Sequence, residues 1–198
     1  MSPLVVAFVA GSTGPWQITS VDAVVGDSLL DARRLTVLEG GEAPPPVGVS
    51  WVLRGVTSNE RYVTRNERSA LSAKEEKLGR PEATCAALIP ITKSEAWWAL
   101  TQDERREIFD ERSRHIETGL EYLPGVARRL HHGRDLGEPF DFLTWFEYAP
   151  AEQQAFEQLV GRLRESEEWT YVEREVDIRL VREGQHPAAA VVAAKALA

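Results

Sequence analysis

The sequence predicts an α+β protein whose C-terminal part is a ferredoxin-like β-α-β-β-α-β unit. Strand-like apolar runs fall near residues 83–91, 126–132, 139–149 and 169–181, and helical segments separate the first from the second and the third from the fourth. The chain has 198 residues, 43% of them hydrophobic, which suffices for a sizeable core. This order of elements gives a four-stranded antiparallel sheet with both helices on one face.

The first 50 residues are rich in Val, Gly and Pro. "MSPLVVAFVAGSTG" has a short apolar run with no basic residue before it, so a first strand is expected rather than a signal peptide. Nothing approaches transmembrane length. The segment reads as a few short strands, closing on "LEGGEAPPPVG", whose prolines favour an extended connector. "WVLRGVT" (51–57) reads as a strand. A helix is expected from about Arg65 to Leu78, opened by Thr64 with Glu67 and closed by Gly79 and Pro81.

"ATCAALIPI" (83–91) reads as a buried strand. Thr101 with Glu104 opens a helix expected to run to about Leu120, and Pro124-Gly125 breaks it before an extended 126–132. In "PFDFLTWFEYA" (139–149), Phe140, Phe142, Phe146 and Tyr148 fall on one face, Leu143 and Trp145 on the other, so both faces are covered. Pro150 opens an amphipathic helix with Phe156, Leu159, Val160 and Leu163 along one stripe. The last strand, about 169–181, sets Val172, Val176, Ile178 and Leu180 opposite Glu173, Glu175, Asp177 and Arg179. The second face of the sheet then requires cover from the N-terminal strands, another subunit or a ligand. The tail "HPAAAVVAAKALA" is low-complexity and carries no functional argument.

The net charge is −8 and the pI about 5.1, a field that repels nucleic acid and anionic lipid, and no local basic patch offsets it. A small anion requires its own cationic pocket. Cys85 is the sole cysteine, which excludes an intrachain disulfide or zinc cluster and suits a reducing interior, with the cytoplasm as the default location.

Two residues invite chemistry. His115, one of four histidines, shares the expected helix face with Ile108, Glu111 and Gly119. It reads either as a core histidine bonded to a carbonyl or as an axial ligand to haem iron, which needs one protein ligand and an apolar slot. Gly119 costs the helix about 1 kcal/mol relative to alanine, so a packing reason is expected: room for something flat beside the imidazole. Arg128 shares an extended face with Val126, Leu130 and His132, an expensive place for a permanent cation unless an anion or carboxylate meets it. A structural ion pair and an anion-binding role both satisfy that requirement. Arg129 reads as an ordinary solvated arginine.

The run "IPITKSEAWWALTQDERREIFDERSRHIETGLEYLPGVARRLHHGRDLGEPFDFLTWFEYAP", followed by "EEWTYVEREVDIRL", resembles the chlorite dismutase family, and its short-chain dimeric members in particular. The resemblance extends over roughly residues 10–182, including "RGVTSNERYVTR" and "LGRPEATCAALIPI". It implies a dimeric α+β barrel of two ferredoxin-like halves: a truncated half over 1–80, a haem-binding half over 81–182, then the tail 183–198. It implies haem b as cofactor and chlorite as substrate, converted to chloride and dioxygen.

By the same resemblance His115 in "SRHIETGLEYLP" matches the proximal iron ligand, and Arg128 in "PGVARRL" the distal arginine. Lys93 and Trp97, spaced K-x-x-x-W, and Glu168 before Trp169 match the proximal network, while Tyr62 in "RYVTR" matches a haem-edge contact. Taken singly, Lys93 reads as a solvated strand end, Trp97 as core and Glu168 as a surface charge; their joint appearance at family positions is what favours function. Glu75 in "SAKEEKLG" departs from the pattern, because short members carry a neutral glutamine there. Its carboxylate is expected either to pair with Arg128 or to face solvent.

Competing readings are a coproporphyrin-haem decarboxylase, in which an uncharged amide would replace Arg128, a peroxidase, and a cofactor-free dimerisation module whose apolar sheet face buries against a partner.

Overall fold

In the computed structural model, residues 4–40, 47–57 and 77–182 are described, and they form one closed eight-stranded barrel with helices packed on one side. The N-terminal strands are β1 (Val5–Gly11), β2 (Trp16–Val25), β3 (Arg34–Glu39) and β4 (Val49–Thr57). The C-terminal strands are β5 (Cys85–Lys93), β6 (Val126–His132), β7 (Phe142–Tyr148) and β8 (Val172–Arg182). Around the barrel the order is β1-β3-β2-β8-β5-β7-β6-β4, every neighbouring pair antiparallel.

Each group of four keeps the ferredoxin-like order: β8-β5-β7-β6 in the C-terminal half and β4-β1-β3-β2 in the N-terminal half. The halves meet at the β2–β8 and β6–β4 seams. In the first half the connection from β1 to β2 is only residues 12–15, and no described residue before Glu95 is helical, which is the truncation expected from the sequence. β2 pairs with β3 only through Trp16 and Gln17, then continues along β8.

The expected need of the second sheet face for cover is therefore met by the N-terminal strands. Phe8, Trp16, Leu35 and Leu53 from that half pack against Leu88, Leu143, Trp145, Ile178 and Leu180 inside the barrel. Trp145 is central, 5.6 Å from Phe8 and 5.3 Å edge-on to Trp16 between ring centres. Each such side chain contributes about 1.5–3 kcal/mol when fully buried. Phe140 joins this interior group, against the face expected for it, because it precedes β7 and the strand's alternation does not reach it.

The outer face of the C-terminal sheet carries Ala87, Ile89, Ile91, Val126, Phe142, Phe146 and Tyr148, covered by α4 (Gln153–Arg164) through Phe156, Leu159, Val160 and Leu163. The acidic face of β8 lies under the same helix, which buries Glu175 and Asp177; Arg164 bonds both and Arg179 bonds Asp177. The remaining helices are α1 (Glu95–Ala99), α2 (Gln102–Arg106) and α3 (His115–Glu121). The capping box at Thr101 and Glu104 is present. Arg129 is partly covered and pairs with Glu39 at 2.7 Å.

The helix expected over 65–78 falls outside the described residues except for 77 and 78, which are not helical; Tyr62, Glu75 and the tail are likewise outside.

Candidate functional site

The helix expected to run unbroken from 101 to 120 is instead three pieces. After α2 the backbone widens into a π-helix over Glu107–Arg112, and Arg114 adopts left-handed angles, φ 50° and ψ 36°. His115 thus begins a new helix instead of continuing an old one. No glycine or proline marks the break, so periodicity alone carries the helix through it. A left-handed non-glycine residue is strained by about 1–2 kcal/mol, and π-turns concentrate at functional sites. Here the pair re-aims one imidazole.

The break also changes what His115 touches. Its ring stacks on Phe109, 4.4 Å between centres and 24° from parallel. Six residues apart, the two would lie on different faces of a regular α-helix, so sequence spacing could not have found this contact.

His115 Nδ1 lies 2.7 Å from Glu168 Oε2. Glu168 sits on a single 3₁₀ turn, Glu167–Tyr171, leading into β8, and is buried rather than a surface charge. Its second oxygen accepts a 2.9 Å hydrogen bond from Lys93 Nζ, which also donates to the Glu168 backbone carbonyl at 3.0 Å. Lys93, at the end of β5, is 2% exposed and so is not a solvated strand end. Its ammonium lies 4.6 Å from the Trp97 ring centre and 5.5 Å from that of Trp169, contacts that favour a cation over an aromatic face. The indole N–H of Trp169 is donated to Glu175 at 2.7 Å.

The electrostatics follow from this geometry. Burial pushes the Glu168 pKa up, but the charges and hydrogen bonds of His115 and Lys93 outweigh burial and bring it down to about 2. A carboxylate can only accept, so Nδ1 of His115 carries a proton whether the ring is charged or neutral, and Nε2 is the nitrogen left to bind a metal in the neutral form.

Arg128 lies on the outward face of β6, with Val126 and Leu130 packed into the outer core on either side. Its guanidinium reaches the backbone of Gly119; a β-carbon built on that glycine would overlap it. Gly119 is one helical turn past His115 on α3. The packing reason that the sequence predicts for Gly119 is thus, in part, a flat cation lying against its backbone. His115, Glu168, Lys93 and Trp97 form one network, and Arg128 approaches the same helix from the sheet.

The residues present fit haem. An imidazole held at Nδ1 by a carboxylate leaves Nε2 for a porphyrin iron, which needs only one protein ligand. The indole nitrogen of Trp97 is buried without a hydrogen-bond partner among the described residues, a donor suited to a bound carboxylate such as a porphyrin propionate. The contacts missed from sequence (Phe109, Trp169, Glu175 and the Arg128–Gly119 approach) share one trait: none follows the periodicity of a single regular element.

Fold and site together define a ferredoxin-like barrel protein whose His115 is anchored by a buried carboxylate. A family model described as chlorite dismutase matches residues 45–183. The chain belongs to the chlorite dismutase family. It is 57% identical to a dimeric chlorite dismutase from Nitrobacter winogradskyi, with 90% of this chain and 99% of that one covered at a TM-score of 0.83. Chlorite dismutase from Candidatus Nitrospira defluvii in complex with imidazole, 17% identical, covers 92% of this chain and 93% of its own at a TM-score of 0.66, a likeness of fold. The chlorite dismutase of Ideonella dechloratans is 30% identical over 106 residues, half of this chain; the match spans about a third of that protein (34%). No helix among the described residues is long and apolar enough to cross a membrane.

Proposed function

We propose that this protein is a haem b enzyme that decomposes chlorite to chloride and dioxygen, acting as a homodimer. The observation that carries the proposal is the buried Glu168 bonded to Nδ1 of His115, which leaves Nε2 as the nitrogen available to iron. The family, and the description of the Nitrobacter relative as dimeric, support the reaction and the assembly. Cys85 as the sole cysteine suits a reducing compartment such as the cytoplasm.

The chemistry that haem supplies when bound is oxygen-atom transfer at iron. In this reading His115 holds the cofactor, and Glu168 keeps the imidazole in one tautomer and raises its basicity. Lys93 balances the buried carboxylate, so that it stays ionised without leaving an uncompensated charge in the core. Arg128 offers a permanent cation with several donors to the chlorite oxyanion and to the chlorine oxyanion produced from it, retaining that fragment until dioxygen forms. In a site screened from water such a contact is worth far more than in solution. Tyr62 at the haem edge, and Glu75 as a carboxylate modulating Arg128, are assigned from the resemblance alone.

The arginine also separates this reading from the decarboxylase. The test is an oxygen electrode with added chlorite. The haem-loaded protein should evolve dioxygen, His115→Ala should lose most of its Soret absorbance, and Arg128→Ala should keep its haem but turn over about a hundredfold more slowly. Haem uptake without dioxygen would favour a peroxidase, and no uptake after haem supplementation the cofactor-free module; either result overturns the proposal.

A further inference from the structure

The 3₁₀ turn that carries Glu168 has an unusual cap. Ser166 stands in the N-cap position, but its hydroxyl is donated to the Leu163 carbonyl at 2.7 Å and does not cap the turn. The backbone N–H of Glu168 has no partner within so short a turn. It is donated instead to Ser113 Oγ, 2.9 Å away and 55 residues earlier in the chain. Ser113 ends the π-helix, its own N–H bonded to the Ile108 carbonyl at 3.0 Å. Beside it, Arg112 donates to Glu167 at 3.0 Å. Two consecutive residues just ahead of His115 therefore grip the two residues that present the carboxylate.

We infer that Ser113 is a positioning residue: its hydroxyl caps the Glu168 turn in trans and so fixes the carboxylate on the His115 imidazole. The π-turn is what makes this reach available, because Ser113 closes it and so lies at the Glu168 turn just before the left-handed Arg114. Arg112 and Glu167 are both largely exposed, so their pair contributes little. The hydroxyl is the half-buried contact, and its loss would orphan a backbone donor next to a buried charge.

The inference deepens the proposed function and rests on it for its catalytic meaning, but not for its test. In 15N-histidine-labelled protein without haem, Ser113→Ala should make the His115 Nδ1 proton exchange with solvent roughly three- to tenfold faster, the rate equivalent of one hydrogen bond. Ser113→Thr, which keeps the hydroxyl, should restore the slow rate. An exchange rate in Ser113→Ala equal to that of the native protein would overturn the positioning role. Faster exchange in a protein that never takes up haem would leave the positioning intact and remove the haem reading instead.

Discussion

The guanidinium of Arg128 rests on the backbone of Gly119, one turn along α3 from His115. The sheet and the helix thereby share a contact that any side chain at 119 would disturb. The atoms in the way are the far end of a flexible side chain, so the fold can absorb the intrusion while the guanidinium cannot stay where it is.

Gly119→Ala should accordingly separate stability from activity. Alanine is favoured over glycine in a helix by about 1 kcal/mol, so the thermal midpoint should hold or rise. Chlorite turnover should fall about tenfold or more as Arg128 is displaced. Midpoints by circular dichroism and initial rates by oxygen electrode check both, and a variant with native turnover would show that the contact does not set the arginine's position.

Glu168→Gln should weaken the fold by about 3 kcal/mol, since Lys93 is left buried without a counter-charge. The native carboxylate has a pKa lowered from 4.5 to about 2 by His115 and Lys93 against burial. Its contribution is therefore fully present above pH 4.5 and is lost as pH falls toward 2. Urea midpoints across that window should decline in the native protein and lose this part of the slope in the variant.

His131 titrates stability in a higher window. Buried in the barrel, 5.2 Å edge-on to Phe8 and 3.1 Å from the Thr57 hydroxyl, it is held neutral. Desolvation first, and then the charges of Arg129 and His132, lower its pKa from 6.5 to about 3. The unfolded chain takes up this proton more readily, so stability is complete above pH 6.5 and drains as pH falls toward 3. The loss falls on the β4–β6 seam, where Thr57 pairs with His131 and Gly55 has no side chain where a β-carbon would meet the histidine. His131→Phe should flatten the urea midpoint between pH 6.5 and 4.5; an unchanged slope would assign the acid limb to other groups.

Glu175→Gln should destabilise by about 2 kcal/mol, several degrees in thermal midpoint for a chain of this size. Glu175 is fully buried and accepts from both Trp169 and Arg164, and the amide would leave Arg164 to Asp177 alone. A loss below about 0.5 kcal/mol in urea unfolding would mean that the neighbouring charges rearrange freely.

For Glu75 the expected outcome concerns rate. If its carboxylate modulates Arg128, Glu75→Gln should alter the pH profile of chlorite turnover, and an identical profile would remove it from the site.

Local order in the sequence determined a great deal. Periodicity placed β5 to β8 and α4, the Thr101–Glu104 pair marked a helix start, and alternation grouped Val126, Arg128 and Leu130 on one face of β6. These are properties of segments a few residues long, where periodicity records which face meets the core. The resemblance to a family supplied the names His115, Glu168, Lys93 and Trp97, but not why they meet. Only the tertiary structure decided that: the closing of the barrel by the N-terminal strands, the π-turn and left-handed Arg114 that aim His115, and the burial of Glu168 and Lys93 as a pair. Each follows from contacts between segments far apart in the chain, and free energy gained there outweighs the local preference for one straight helix.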